Sequence, residues 1–446
     1  MTQKRVVIMG AAGRDFHDFN TVFRGDDHVE VAAFTHTATQ NLGELEELPN
    51  RRYPSELAGE GYPDGIPIRP ETELETIIDE SDVDTVVFSY SDVSHEHVMH
   101  QASRALAAGA DFRLIGPDRM MLDASVPVVA IDAVRTGCGK SQTARKVADL
   151  LLERGKTVVV VREPMPYGDL VAQRVQRFET LADLDESDVT IEEREEYEGH
   201  IERGHVVYAG VDYEAILDRA QAEADVIVWD GGNNELPFYA PDVHIIVADP
   251  HRAGAELRYH PGETNLRLAD YVLINKENTA DVAGIREIEE NVRRTNPDAE
   301  IIHANSTITA DRDTIAGKRV LVVEDGPTLT HGDASYGAGL IAAREYGATE
   351  IVDPEPAAAG SLQHVFEEYR HLDTVLPALG YSNEQIRDLE ATIRNAAPEV
   401  VVSGTPHDLA RLIDVDIPVV RVRYELEEKN VTLETVLDRH AEELGL

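Results

Sequence analysis

The stretch Val126-Pro-Val-Val-Ala-Ile-Asp-Ala-Val-Arg-Thr-Gly-Cys-Gly-Lys-Ser141 constrains this chain more than any other. Its apolar half reads as a buried strand, and a glycine-rich turn follows. Beyond the turn, Ala144, Val147, Ala148, Leu151 and Leu152 recur at helical spacing, and Gly155 stands where a left-handed end residue is wanted. Strand, glycine turn and helix in that order are the setting in which Gly-Lys-Ser cradles a phosphate. Gly137 and Gly139 let backbone N–H groups turn inward. The helix N-terminus adds partial positive charge and Lys140 a whole one. Gly137, Cys138, Gly139, Lys140, Ser141 and Gln142 are therefore the predicted nucleotide contacts. One departure is Val134, which stands where the first glycine of the usual phosphate-loop pattern falls.

Two later strands point the same way. Ala224-Asp-Val-Ile-Val-Trp-Asp230-Gly-Gly-Asn-Asn234 ends a β-branched run in a carboxylate and two glycines. Such a carboxylate holds Mg2+ beside a bound triphosphate, and the glycines let backbone approach the terminal phosphate. Thr157–Val161 runs into Arg162-Glu-Pro-Met-Pro-Tyr-Gly-Asp169, and ligands gather at the carboxyl ends of parallel strands. Arg162 suits a bidentate phosphate contact and equally a salt bridge to Glu163 or Asp169. Ser141, Asp230 and Glu163 are the candidate Mg2+ ligands. Lys140, Arg135, Arg162 and Asp230 are the candidate catalytic residues. Asn275-Lys276-Glu277-Asn278 matches the Asn-Lys-x-Asp of guanine-binding loops except at its last position. An amide cannot accept from both guanine hydrogens, so adenine suits it at least as well. ATP is the expected nucleotide, GTP the alternative, with Mg2+ and K+ as the cations.

The chain is read as α/β in three parts. Residues 1–124 form an N-terminal Rossmann-like domain, 125–323 a central P-loop NTPase domain with a mainly parallel sheet, and 324–446 a smaller C-terminal α/β domain. The first opens on Arg5–Met9 and the turn Gly10-Ala-Ala-Gly13. No carboxylate follows the second strand at Thr35-His36-Thr37 to hold an NAD ribose, so Gly13, Arg14 and His17 are instead offered to an anion. His95, His97 and His100 read as a solvated helix end rather than a metal site. Within the acidic stretch from Glu179 to Glu202, Glu192-Glu-Arg-Glu-Glu196 reads most simply as a solvated helix face, with a lid over the site as the sharper reading. In the third part, the hydroxyl-rich loop around His331 is a phosphate-binding loop or a hinge.

The net charge of −43, from 84 acidic and 41 basic residues, is spread along the chain. It disfavours nucleic acid and anionic membranes as partners. Only seven of the basic residues are Lys, a balance that resembles cytoplasmic proteins adapted to high salt. The lone Cys138 permits no internal disulfide. No apolar run approaches the ~20 residues of a membrane span, and no signal peptide opens the chain. A cytoplasmic protein is expected.

Taken together, the motifs resemble the archaeal cyclic 2,3-diphosphoglycerate synthetases and related predicted GTPases. The resemblance runs through Val7–Phe16, Ser91–His95, Val134–Ser141, Arg162–Asp169, Trp229–Asn234 and Glu324–His331. It implies an ATP- and Mg2+-dependent ligase-type enzyme. ATP would phosphorylate 2,3-diphosphoglycerate, and the neighbouring phosphate would then close an intramolecular anhydride with release of phosphate. A small phosphorylated substrate and a homodimer are implied with it. Arg14, His17, Arg162, Tyr167, Arg174, Arg177 and His331 are the substrate contacts expected on this reading, with Arg135 beside the loop. The competing readings are a regulatory GTP-binding module and a non-catalytic nucleotide sensor.

Overall fold

The computed structural model describes residues 3–37, 51–163, 168–187, 189, 191–232, 234–326, 329, 336–372, 374–378, 383–405 and 408–446. Tyr167 and His331 lie outside them. The chain is α/β, as its alternating patterns predict. At its centre is a sheet of nine strands. From one edge it runs Val175–Phe178, Val206–Gly210, Val158–Arg162, Val226–Gly231, Val128–Ala133, Val243–Ala248, Tyr271–Ile274, Glu300–Thr309 and Arg423–Glu428. Only the two edge strands pair antiparallel. The inner strands are β-branched and buried along their length, as a parallel layer covered on both faces demands. The strand Arg423–Glu428 and the helix Leu433–Arg439 come from the chain's last segment. Leu433, Val436 and Leu437 pack into the same apolar core as Ala144, Val147 and Leu151 of the helix after the glycine loop.

An N-terminal sheet of six strands has Lys4–Met9 between Val29–His36 and Thr85–Phe88, all parallel. It is fused to the central layer through aromatic packing. His17 stacks on Phe238 with ring centroids 4.0 Å apart, and Tyr213, Trp229 and Phe238 close around them. A second tie pairs Val93–Ser94 with Tyr259–His260. Among the described residues, no helix is long and apolar enough to cross a membrane.

Three strand-to-helix turns are glycine-rich, and two of them are filled from within. After Lys4–Met9, the Asp15 carboxylate accepts from the N–H groups of Ala12 (2.9 Å), Gly13 (3.1 Å) and Phe16 (2.8 Å). A Cβ at Gly10 would collide with that carboxylate. In the C-terminal sheet, Glu324 ends the strand Arg319–Asp325. It accepts from Gly337 (3.1 Å), Gly339 (3.2 Å) and Leu340 (2.8 Å) at the start of the helix Ala338–Glu345. Gly337, Gly339 and Gly404 leave the room it occupies. The N–H groups of Ala12, Gly13 and Phe16, and those of Gly337, Gly339 and Leu340, are thus already paired. This corrects the expectation of an anion at Gly13. Arg14 is buried 3.7 Å from Asp18, and His17 Nε2 bonds the Met120 carbonyl at 2.7 Å. Burial lowers the His17 pKa to about 3. Both side chains hold the joint between layers.

Burial pushes the Glu324 carboxyl up to about 7 against the pull of its three N–H partners. Folded chains therefore keep a proton that unfolded chains, titrating near 4.5, have released. The stability this group contributes is complete below pH ~4.5 and is lost as the pH rises through about 7, about 3 kcal/mol in all. Urea unfolding from pH 4 to 8 should show that decline in the wild type and not in Glu324→Gln.

Candidate active site

Five neighbouring parallel strands end side by side, and each delivers a side chain or a loop. Val158–Arg162 brings Arg162, Val226–Gly231 brings Asp230, and Val128–Ala133 leads into the glycine loop. Val243–Ala248 leads to Asp249, and Tyr271–Ile274 leads to Asn275. Gly137 and Gly139 adopt φ of +81° and +112°, a region open to glycine, and the helix Lys140–Glu153 starts directly after them.

Lys140 and Asp230 meet. Lys140 Nζ donates to Asp230 Oδ1 at 3.0 Å and to the Asp230 carbonyl. Arg162 Nη1 donates to Asp230 Oδ2 and lies 3.4 Å from Ser141 Oγ. His200 Nε2 reaches Asp230 Oδ2 at 3.0 Å, and Glu196 pairs with Arg162 Nη2 at 3.0 Å. Burial alone would raise the Asp230 pKa, but Arg162 and Lys140 hold it well below the usual carboxylate range. Burial works against the charge on Arg162 too, and Asp230 and Glu196 hold that charge in place. Burial lowers the His200 pKa to about 3.

The loop is braced from three sides. Asp92, from the N-terminal layer, accepts from Arg135 Nε (2.6 Å) and from Thr136 N (3.2 Å) and Oγ1 (2.7 Å). The Arg135 guanidinium also lies 3.8 Å over the Tyr259 ring. Asn234 Nδ2 donates to Thr136 Oγ1 at 3.2 Å. Lys276 Nζ donates to the Gly137 carbonyl (2.5 Å) and to Asp249 (2.9 Å), and Asn275 Nδ2 to the Cys138 carbonyl (2.9 Å). Asp92, Asn234 and Lys276 all have positive φ, three of the five non-glycine residues that do among those described. Strain of that kind persists only where the surroundings over-determine it, and here it lies around one loop.

Several predicted contacts have other work. Asn275 and Lys276 brace the loop. Asn278 bonds the Ser306 N–H and carbonyl, both at 3.0 Å, so its amide completes a backbone pairing and does not face a base. Gln142 Oε1 lies 3.4 Å from Ser306 Oγ. Arg174 pairs with Asp212, and Arg177 with Glu179 and Glu223, at the edge of the sheet. Arg135 is held by Asp92 and does not join the Asp230 cluster. Sequence reasoning misses Glu196, which closes the acidic run expected to be a solvated helix face, and His200, which lies beyond that run in the same helix Ile191–Ile201. Their i, i+4 spacing was the available signal, since it puts both on one face. Among the described residues, no group of three or more His, Cys, Asp or Glu is placed to hold a metal.

No family model matches the chain. Arginine synthetase ArcE of Thermococcus kodakarensis is 60% identical to it over 427 residues, covering 96% of this chain and 94% of that protein. The chain belongs to the arginine synthetase ArcE family. This corrects the diphosphoglycerate reading. The arginines assigned to a polyanionic substrate, Arg14, Arg174 and Arg177, are paired away from Lys140. The expectation of an enzyme stands. Among solved structures, LpxK from Aquifex aeolicus in complex with ATP matches with a TM-score of 0.41 and 12% identity, over 82% of this chain and 99% of that one. Cobyrinic acid a,c-diamide synthase from Mycobacterium smegmatis, with an ATP analogue and magnesium, matches with a TM-score of 0.19 and 19% identity, over 40% and 74%. At these scores neither bears on what this chain binds.

Removing Asp230 would leave buried Lys140 without its counter-charge and Arg162 with Glu196 alone. Asp230→Ala should destabilise the chain by about 3–5 kcal/mol, read as a fall in the urea midpoint at unchanged slope.

Proposed function

We propose that this chain is an ATP-dependent arginine synthetase that takes the triphosphate at Gly137–Ser141. The 60% identity to a protein named arginine synthetase carries this reading, and the loop with Lys140 and Asp230 supports the nucleotide half. Phosphate oxygens would take the loop N–H groups and Lys140, which would exchange Asp230 for phosphate. Ser141 Oγ and Asp230 both lie against Arg162 Nη1, so a hydroxyl and a carboxylate converge on one point. An oxygen-only pair of this kind fits Mg2+, which keeps most of its shell as water and phosphate. When bound, the ion would neutralise charge building on the transferred phosphate.

The chemistry of the product narrows the substrate. Arginine's guanidinium differs from a ureido group by one nitrogen in place of one oxygen. Oxide is a poor leaving group, and transfer of the γ-phosphoryl to the ureido oxygen makes it phosphate. Ammonia then adds to that carbon, phosphate departs, and one proton is released from the nitrogen. The balance is ureido amino acid, ammonia and ATP to arginine, ADP and phosphate. Arg162, fixed by Asp230 and Glu196, is placed to stabilise charge on the phosphoryl group in transfer.

The test is to incubate the protein with MgATP, citrulline and ammonium and to follow arginine by amino-acid analysis and ADP by coupled assay. Arginine and ADP should appear in equal amounts. Lys140→Ala should cut the rate by a factor on the order of 10²–10³. No arginine with either ATP or GTP would end the proposal.

A further inference from the structure

A buried carboxyl pair beside the loop is used by nothing above. Glu163 follows Arg162, and its N–H donates to the Gly231 carbonyl at 3.1 Å. Glu235 stands four residues beyond Gly231, and its Oε1 accepts the Gly232 N–H. The two carboxyl groups lie close enough to act on each other, and their residues are 9% and 1% exposed. Neither forms an ion pair among the described residues. Lys140 acts on Glu235 electrostatically, but its ammonium is bonded to Asp230. Glu235 Oε2 is fully buried and has no hydrogen-bond partner. Burial, with Glu235 beside it, drives the Glu163 pKa well up, and burial raises that of Glu235.

The space is made for these groups. A Cβ at Gly13, in the N-terminal layer, would collide with Glu163 Oε1, and one at Gly232 would come within 2.9 Å of Glu163 Oε2. Two layers and two glycines thus admit one carboxylate. Facing acidic groups in a dry setting are costly unless a cation joins them. Glu163 was expected at Mg2+, but that ion demands near-octahedral oxygens and dehydrates reluctantly. A guanidinium is planar, weakly hydrated and carries five N–H donors in a fork that fits carboxylates.

We propose that Glu163 and Glu235 together bind the guanidinium end of arginine, beside Lys140 and Asp230, with Glu235 Oε2 accepting one of its N–H groups. This rests on the arginine-synthetase reading and names the part of the site that holds the amino acid. The pair sits next to the Gly231-Gly232 turn, so the carbon whose oxygen is exchanged lies near the phosphoryl group. The cation made in the reaction is met there by negative charge.

The test uses the whole chain, with free arginine and MgATP as separate probes of thermal stability. Glu235→Gln and Glu163→Gln keep the shape but can no longer ionise to meet a cation. Without ligand, each variant should melt at or above the wild-type temperature, because burial disfavours an ionisable carboxyl there. Each should bind arginine about tenfold more weakly or worse, while its MgATP-induced shift persists. A group serving the fold alone would not split these readouts. Arginine binding unchanged in both variants would overturn the inference, as would parallel loss of both ligands. Arginine formation by the wild type is measured alongside. If it occurs and the variants bind arginine normally, this inference alone fails. If no arginine forms, the proposed function fails and takes the inference with it.

Discussion

The Asp230 carboxylate, closed in by Lys140 and Arg162, is the interaction on which the site depends. Taking three charges out of water costs several kcal/mol for each ion. The arrangement survives because geometry recovers that cost. Lys140 comes from a helix start, Arg162 and Asp230 from the ends of adjacent strands, and His200 from a separate helix. None of these can reach the others until the sheet is closed in register. Arg162 therefore couples loop to helix: one Nη touches Asp230 and Ser141, the other Glu196. The bracing by Asp92, Asn234 and Lys276 extends the same logic to the backbone, fixing a loop whose glycines would otherwise leave it loose.

Three glycine turns look alike as sequence, and the structure separates them by what fills their N–H groups. Asp15 follows its turn by two residues, and Glu324 comes from the strand before its helix. An internal carboxylate has the charge and reach of a phosphate oxygen, so it satisfies the same donors and removes them from ligand binding. In the central turn the equivalent carboxylate, Asp230, takes the lysine and the arginine, and the loop N–H groups are not its partners. That difference supports the central turn as the proposed phosphate site among the three.

Legibility in the sequence followed the strength of the local signal. Buried parallel strands announce themselves by β-branched runs, and so the central sheet, Lys140 and Asp230 could be placed from residues alone. The helix Ile191–Ile201 could not, because Glu196 and His200 face inward against the acidic composition that surrounds them. Their burial is decided by charge partners from other strands, which no local pattern contains. Asn275 and Lys276 were legible as site residues and illegible in role, since bracing a loop and reading a base call for the same side chains. Arg174 and Arg177 were misplaced for a simpler reason. They flank an edge strand, where a neighbouring carboxylate is always nearer than the site.

The sign of the charge beside the loop argues independently about the substrate. A diphosphorylated acid would need cations left over after the nucleotide is held. Here Arg135 is committed to Asp92, Arg14 to Asp18 and Arg162 to Asp230. Beside the loop two buried acidic residues, Glu163 and Glu235, form no ion pair among the described residues, and Glu235 Oε2 has no hydrogen-bond partner. Under the proposed function those two carboxyls are what the guanidinium of arginine would meet beside the loop. The nucleotide-binding motifs carry no information on that point, because they are built to meet phosphate whatever the second substrate is. The second substrate is read from which charges are left once the phosphate has taken its own.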